Sequence, residues 1–152
     1  MYKIVRKKAL NSTVILMDIE APLVARKAEP GQFIMLRVHE NGERVPLTIA
    51  DFDREKGTVT IIFQLVGKST SLLAQKEAGD YIADFVGPLG KPTHIGQVNR
   101  VCIIGGGVGT AVAYPQAKKL YGQGVTVDVI IGFRNKDLII LEEEMKKVSN
   151  NL

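Results

Sequence analysis

The chain has 152 residues, 45% of them apolar and 24% charged, and its 20 Lys and Arg against 16 Asp and Glu leave a formal charge of +4. That balance excludes a disordered or collagen-like chain, and the length allows a buried core in one domain or in two small ones. A single cysteine, Cys102, excludes an internal disulfide and a four-cysteine metal site, so a cytoplasmic setting is expected.

Residues 1–10 carry Lys3, Arg6, Lys7 and Lys8 but run into Asn11 and Ser12 instead of an apolar stretch, which is not a signal-peptide pattern. Strands are expected at 2–7, 13–20, 32–38, 46–51 and 58–65, separated by turn signals such as Glu29-Pro30-Gly31, Glu40-Asn41-Gly42 and Glu55-Lys56-Gly57. The last of these alternates most cleanly, with Val59, Ile61, Phe63 and Leu65 on one face and Thr58, Thr60, Ile62 and Gln64 on the other. One helix follows, capped by Ser69 or Thr70, with Leu72 and Leu73 inward and Gly79 at its end. A sixth strand at 80–86 completes a pattern that suggests a small closed antiparallel β-barrel, because closure removes exposed edges.

The join falls in 85–99, where Gly87-Pro88-Leu89-Gly90-Lys91-Pro92 breaks both patterns, and places a barrel domain over 1–96 and an α/β domain over 97–152. In the second part, 101–104 reads as a parallel strand covered on both faces, with Cys102 buried in it. After Gly105-Gly106-Gly107-Val108-Gly109 comes a helix to about Tyr121, in which Pro115 removes one backbone bond. A strand at 125–131 and a helix at 137–148 follow. This is a partial Rossmann-like unit, with two strands where about five or six are usual. The longest uncharged window, 101–117, holds four glycines and a proline and does not read as a membrane span. Scattered basic residues without aromatic interleaving argue against nucleic acid, and His39 and His94 lie too far apart to suggest a metal site.

Three segments could carry chemistry. The glycine turn after a buried strand lets backbone approach a pyrophosphate at a helix start, although glycines needed only for packing would look the same. Thr110 stands where the strict dinucleotide fingerprint has glycine, and Arg134, after the second strand, leans toward a 2′-phosphate. In Arg44-Val45-Pro46-Leu47-Thr48, an arginine can neutralise a diphosphate and a hydroxyl can hydrogen-bond a ring nitrogen; a surface arginine and an ordinary strand threonine are the alternative. Gly67-Lys68-Ser69-Thr70 offers a second phosphate-suited segment or an ordinary helix cap.

The order of these segments, with Gly87-Pro88-Leu89-Gly90 between them, resembles the ferredoxin-NADP reductase superfamily. Within it the chain is most similar to electron-transfer subunits of dihydroorotate dehydrogenase and to small subunits of NADH-dependent ferredoxin-NADP oxidoreductase (sulfide dehydrogenase), cut short at the C-terminus. The resemblance implies an FAD-containing oxidoreductase subunit passing electrons between NAD(P)H and a ferredoxin or a larger flavin or iron-sulfur partner subunit. It implies FAD contacts from Arg44, Pro46, Leu47, Thr48, Ile62, Phe63, Gln64, Gly67, Ser69 and Thr70, with Thr48 near N5. It implies NAD(P) contacts from Gly106, Gly107, Val108, Gly109 and Thr110, with no protein acid or base required. Relatives carry four cysteines for a [2Fe-2S] cluster, and with Cys102 alone this chain cannot hold one. A nucleotide-binding module without redox turnover and a structural fragment are the competing readings.

Overall fold

Alternating apolar residues build the first half. In the computed structural model, which describes residues 1–152, these strands are β1 (Tyr2–Ala9), β2 (Val14–Glu20), β3 (Phe33–Arg37), β4 (Arg44–Asp53), β5 (Thr58–Gln64), β6 (Tyr81–Ile82) and β7 (Asp84–Leu89). They form one antiparallel sheet in the order β6-β1-β2-β5-β4-β3-β7, curled into a nearly closed barrel. Val59, Ile61 and Phe63 point inward as their alternation predicts and join a core of 18 buried residues with Met17, Ile19, Ile34 and Phe85. Leu65 lies beyond β5 and is exposed.

The expected sixth strand is two strands. The chain breaks at Ala83: β6 pairs with β1 through Tyr2 and Ile82, while β7 pairs with β3 at the opposite edge. The Ala83 amide donates to the Arg37 carbonyl at 3.0 Å. One segment thus supplies both edge strands of the sheet, β6 beside β1 and β7 beside β3.

A short helix that the alternation pattern does not announce, α1 (Pro22–Lys27), has proline in its first turn and Arg26 and Lys27 in its last. At 6 residues it is too short to show a helical period. The expected barrel helix is α2 (Lys68–Ala74), shorter than its sequence suggests; Gly79, with φ +99°, serves the turn beyond it. Leu73 is buried and Leu72 partly so.

The second half contains β8 (Arg100–Gly106), α3 (Thr110–Gly122), β9 (Thr126–Gly132) and α4 (Glu142–Lys146). β8 and β9 pair in parallel from Arg100–Thr126 to Gly106–Gly132. Only one face of this pair is covered, by Ala113, Ala117 and Leu120 of α3 and Met145 of α4, which pack on Val127 and Val129. Cys102 is exposed, contrary to its expected burial, and beside it Ile104 and Ile130 are 73% and 56% exposed. A continuous apolar run tells that neither face carries charge, not that both have neighbours.

The helix expected at 137–148 is also divided. A 3-10 turn at Lys136–Leu138 leads to Leu141, whose φ is +59°, and only then to α4. Ile140 and Leu141 are drawn out of the helix to cover the barrel. With Ala111 they pack on Val14, Leu16, Ala50 and Ile62, which face outward from β2, β4 and β5. Around this apolar seam, Lys118 Nζ meets Asp51 at 2.8 Å, Lys119 Nζ meets Glu29 at 3.2 Å and Gln116 donates to Thr93 at 2.8 Å. No helix is long and apolar enough to cross a membrane.

Candidate functional site

Strand register places the arginine-proline-threonine segment. Arg44 lies opposite Arg37, Pro46 opposite Met35 and Thr48 opposite Phe33. Ile34 and Leu36 are buried inside the barrel, so by alternation Phe33, Met35 and Arg37 face out, and Thr48, Pro46 and Arg44 face out with them. β7 extends the rows with Asp84 opposite Arg37 and the half-exposed Val86 opposite Met35. The result is a mostly apolar platform with charge at one end. There Asp84 Oδ2 lies 2.8 Å from Arg37 Nε, too poorly aligned for a hydrogen bond, and 3.6 Å from Arg44 Nη2. Leu47 pairs with Ile34 and packs on the interior cluster, leaving only its backbone for the outer face.

The next three expected residues part company. Phe63 lies in the barrel core, Ile62 lies under the α/β half, and Gln64 alone reaches open space. On α2, Thr70 Oγ1 accepts the amides of Val66 and Gly67 at 3.0 and 3.1 Å and donates to the Gly67 carbonyl at 3.0 Å. Its hydroxyl is consumed by capping, the ordinary role. Ser69 caps nothing and donates to Glu43 Oε2 at 3.0 Å. Ser69, Glu43, Lys68 and His39 line a cavity of about 440 Å³ between α2 and the β3–β4 connection.

A larger cleft of about 650 Å³ lies between the halves, at the C-terminal ends of β8 and β9. It is lined by Gly107, Val108, Phe133 and Arg134 on one side and by Asn11, Thr13 and Gln64 of the barrel on the other. The structure therefore brings Gln64 together with Gly107, Val108 and Arg134, while Arg44 and Ser69 stand outside this cleft. Asn11 and Thr13 are additions that the sequence reading missed. Asn11 Oδ1 accepts the amides of Thr13 and Val14 at 2.9 and 2.8 Å, and its Nδ2 donates to the Leu138 carbonyl at 3.2 Å. The signal was present in Asn11-Ser12-Thr13, a self-bonding turn that presents its residues at a strand mouth.

The glycines of the turn differ in what they do. A Cβ on Gly105 would come within 3.0 Å of Thr110 Cα and 3.3 Å of Ala113 Cβ, so this glycine is there for strand-to-helix packing. Gly106, Gly107 and Gly109 have nothing within 4 Å of such a Cβ, and Gly107 has φ +52°. Packing does not explain them; they leave open backbone along the turn, and Gly107 among them lines the cleft. Thr110 is fully buried, its Oγ1 lacks a partner and faces Gly105, and its amide bonds back to Gly107 and Val108. Its side chain is turned away from the space it was expected to line.

Tyr114 of α3 sits at the seam, where burial first, and then the carboxylates of Asp51 and Glu144, push its phenol up to about 12. The folded chain holds this proton above the unfolded value of about 10. The stability from the neutral phenol is therefore complete below pH 10 and is lost as pH rises toward 12. Thermal melts across this window will show a falling Tm in the parent that is shallower in Tyr114→Phe. An equal slope in both would remove Tyr114 from the alkaline limb. Elsewhere, hydrogen bonds from Arg100 and Asn151 hold the Asp128 carboxyl below its usual range. No group of three or more His, Cys, Asp or Glu side chains could hold a metal ion.

No family model matches the chain. It is 54% identical over 159 residues to a Clostridium beijerinckii protein described as an uncharacterized protein in the adh 3′ region, covering 100% of this chain and 54% of that one. It is 43% identical over 150 residues to a Thermotoga maritima homolog of the electron transfer subunit of dihydroorotate dehydrogenase B (NAD(+)), covering 99% and 53%. Among solved structures, the NADH-dependent reduced ferredoxin-NADP oxidoreductase superposes with a TM-score of 0.95 at 41% identity, over 100% of this chain and 55% of that one. The chain spans about half the length of the curated relatives it matches.

Proposed function

The chain belongs to the ferredoxin-NADP reductase superfamily, and from that premise we propose that it is an FAD-binding part of an NAD(P)H oxidoreductase subunit. One observation carries the reading. The barrel's outer face and the glycine turn share a wall, because Gln64 lines the interdomain cleft and Thr48 stands one residue beyond the Ile49–Ile61 pair on the neighbouring strand. A planar ring on the platform of Met35, Pro46, Thr48 and Val86 would have an apolar support at one end and the glycine cleft at the other. Open backbone at Gly106, Gly107 and Gly109 suits a pyrophosphate, and the half-exposed Val86 suits a flat apolar ring.

Bound flavin would supply hydride acceptance from a nicotinamide and one-electron release. The chain's own residues position and shield. Arg44 would neutralise diphosphate charge, the Thr48 hydroxyl would hydrogen-bond the ring near N5, and Leu47 and Phe63 would support the platform from within, while Ile62 braces the same strand from the seam side. Gln64 faces both ligands. Gly67 and Ser69 border the flavin phosphate, with Thr70 fixing their turn. Gly106, Gly107, Val108 and Gly109 approach the NAD(P) pyrophosphate, Thr110 sets the turn beneath them, and Arg134 favours a 2′-phosphate. In this reading 1–96 is the FAD domain and 97–152 a partial NAD(P) domain of a cytoplasmic protein. A [2Fe-2S] cluster does not fit these residues, since the one cysteine stands alone on an open sheet face. A ferredoxin or a larger partner subunit would carry the cluster.

The test is a visible spectrum before and after incubation with excess FAD and desalting, followed by anaerobic NADPH or NADH. The expected result is a retained flavin band that bleaches, with Arg44→Ala weakening retention by about tenfold or more. A band that does not bleach would favour nucleotide binding without turnover. No band from folded protein would overturn the flavin reading.

A further inference from the structure

The β3–β4 connection carries a carboxylate that the flavin reading leaves without a role. Glu43 immediately precedes Arg44, and its Oε2 accepts the Ser69 hydroxyl at 3.0 Å across the 440 Å³ cavity that Lys68 also lines. The connection that bears it is held in place. The Gly42 amide donates to the His39 carbonyl at 2.9 Å, and Arg37 donates to the Glu40 carbonyl.

A serine hydroxyl has one proton to give. A phosphate oxygen that takes the Ser69 proton must therefore displace Glu43. Arg44 meets a milder version of the same competition. Its 3.6 Å contact is to an Asp84 oxygen that already lies 2.8 Å from Arg37, so Arg44 can turn away and leave that carboxylate paired. Glu43 forms no salt bridge, not even to Lys68 of the same cavity, so its charge stays at the cavity wall. Two like charges brought together there repel, most strongly at low ionic strength.

Resting on the FAD reading above, we propose that Glu43 is a specificity-determining carboxylate that competes with the diphosphate of the flavin for Ser69 and lowers affinity in proportion to the ligand's phosphate charge. A flavin without phosphate escapes the penalty. The carboxylate therefore acts on loading and retention of the cofactor and not on the ring's reactivity.

The experiment titrates FAD and riboflavin, by flavin fluorescence at low salt, into the parent chain, Glu43→Gln, Ser69→Ala and the double variant. Glu43→Gln is expected to tighten FAD by about fivefold to tenfold while changing riboflavin by less than about twofold. In the Ser69→Ala background the gain should fall to less than about half, because the contested proton is gone. FAD affinity equal or weaker in Glu43→Gln overturns the proposal while leaving the flavin reading intact. So does equal tightening of riboflavin, which would mark a general change of cavity shape. Absence of FAD binding to parent and variant alike overturns both readings, whereas binding gained only by the variant supports the proposal.

Discussion

Phe63→Ala will destabilise the whole protein by about 3–5 kcal/mol, while Ile62→Asp, one residue away, will loosen chiefly the second half. Phe63 is among the largest fully enclosed side chains and packs within the 18-residue barrel core. Truncating it leaves a cavity that the surrounding strands cannot close. Ile62 points the other way, into the seven-residue seam with Ala111, Ile140 and Leu141. A carboxylate there lies between two apolar faces, at a cost of about 3–5 kcal/mol if the seam stays shut and neither Arg6 nor Lys8 of the adjoining pocket reaches it. Opening the seam relieves that cost, and opening leaves the barrel interior untouched. Hydrogen exchange distinguishes the two outcomes. In Ile62→Asp, amides of α3 and of 140–146 should exchange faster while the paired amides of β2 and β5 keep their protection. In Phe63→Ala all should lose protection together. Simultaneous loss in both variants would show that the halves unfold as one unit.

The same pair of residues explains what could be seen in the sequence. Alternation along 58–64 tells which face of a strand is buried first, and it identified the inward set Val59, Ile61 and Phe63. It does not tell that the second face is also covered, because Ile62 among threonines looks like an isolated surface residue. The covering comes from Ala111, Ile140 and Leu141, more than forty positions downstream. The reverse holds in the parallel pair, where the unbroken apolar run of β8 predicts two covered faces and Ile104, with Ile130 beside it on β9, stands open. In both places the local pattern records polarity, and the neighbour is a tertiary fact. The segment at 80–86 departs from its single-strand pattern for a related reason: one residue, Ala83, divides it between two sheet edges, and no composition signal marks the change of partner.

The candidate site follows the same division. Arg44, Pro46 and Thr48 share an outer face because they are two residues apart, which period alone predicts, and that period also turns Leu47 inward. Hydroxyls were harder to place. Thr70 and Thr110 both looked available for phosphate, yet the first spends its oxygen on the amides of Val66 and Gly67 and the second is buried against Gly105. Short polar side chains at helix starts satisfy local backbone before they serve a ligand. Ser69 escapes this fate, and it does so by bonding a side chain 26 residues away, which no motif would reveal.

The glycine turn gives the remaining large effect, because its members separate folding from binding. Gly105→Ala forces a Cβ to 3.0 Å from the Thr110 backbone and should cost about 1–3 kcal/mol of stability. Gly109→Ala meets nothing within 4 Å, and with φ −60° it suits any residue, so stability should hold or rise by about 0.4–1 kcal/mol through a stiffer unfolded chain. Its methyl group would nevertheless stand where the proposed pyrophosphate needs bare backbone. Titration with NADPH, followed by fluorescence, should therefore show affinity falling by about tenfold or more in Gly109→Ala at undiminished Tm. Gly105→Ala should show the opposite pairing, a lowered Tm and, in the molecules that remain folded, an affinity closer to the parent's. If Gly109→Ala binds NADPH as tightly as the parent, the open backbone at this turn is not a dinucleotide contact, and the second half serves the barrel through the seam alone.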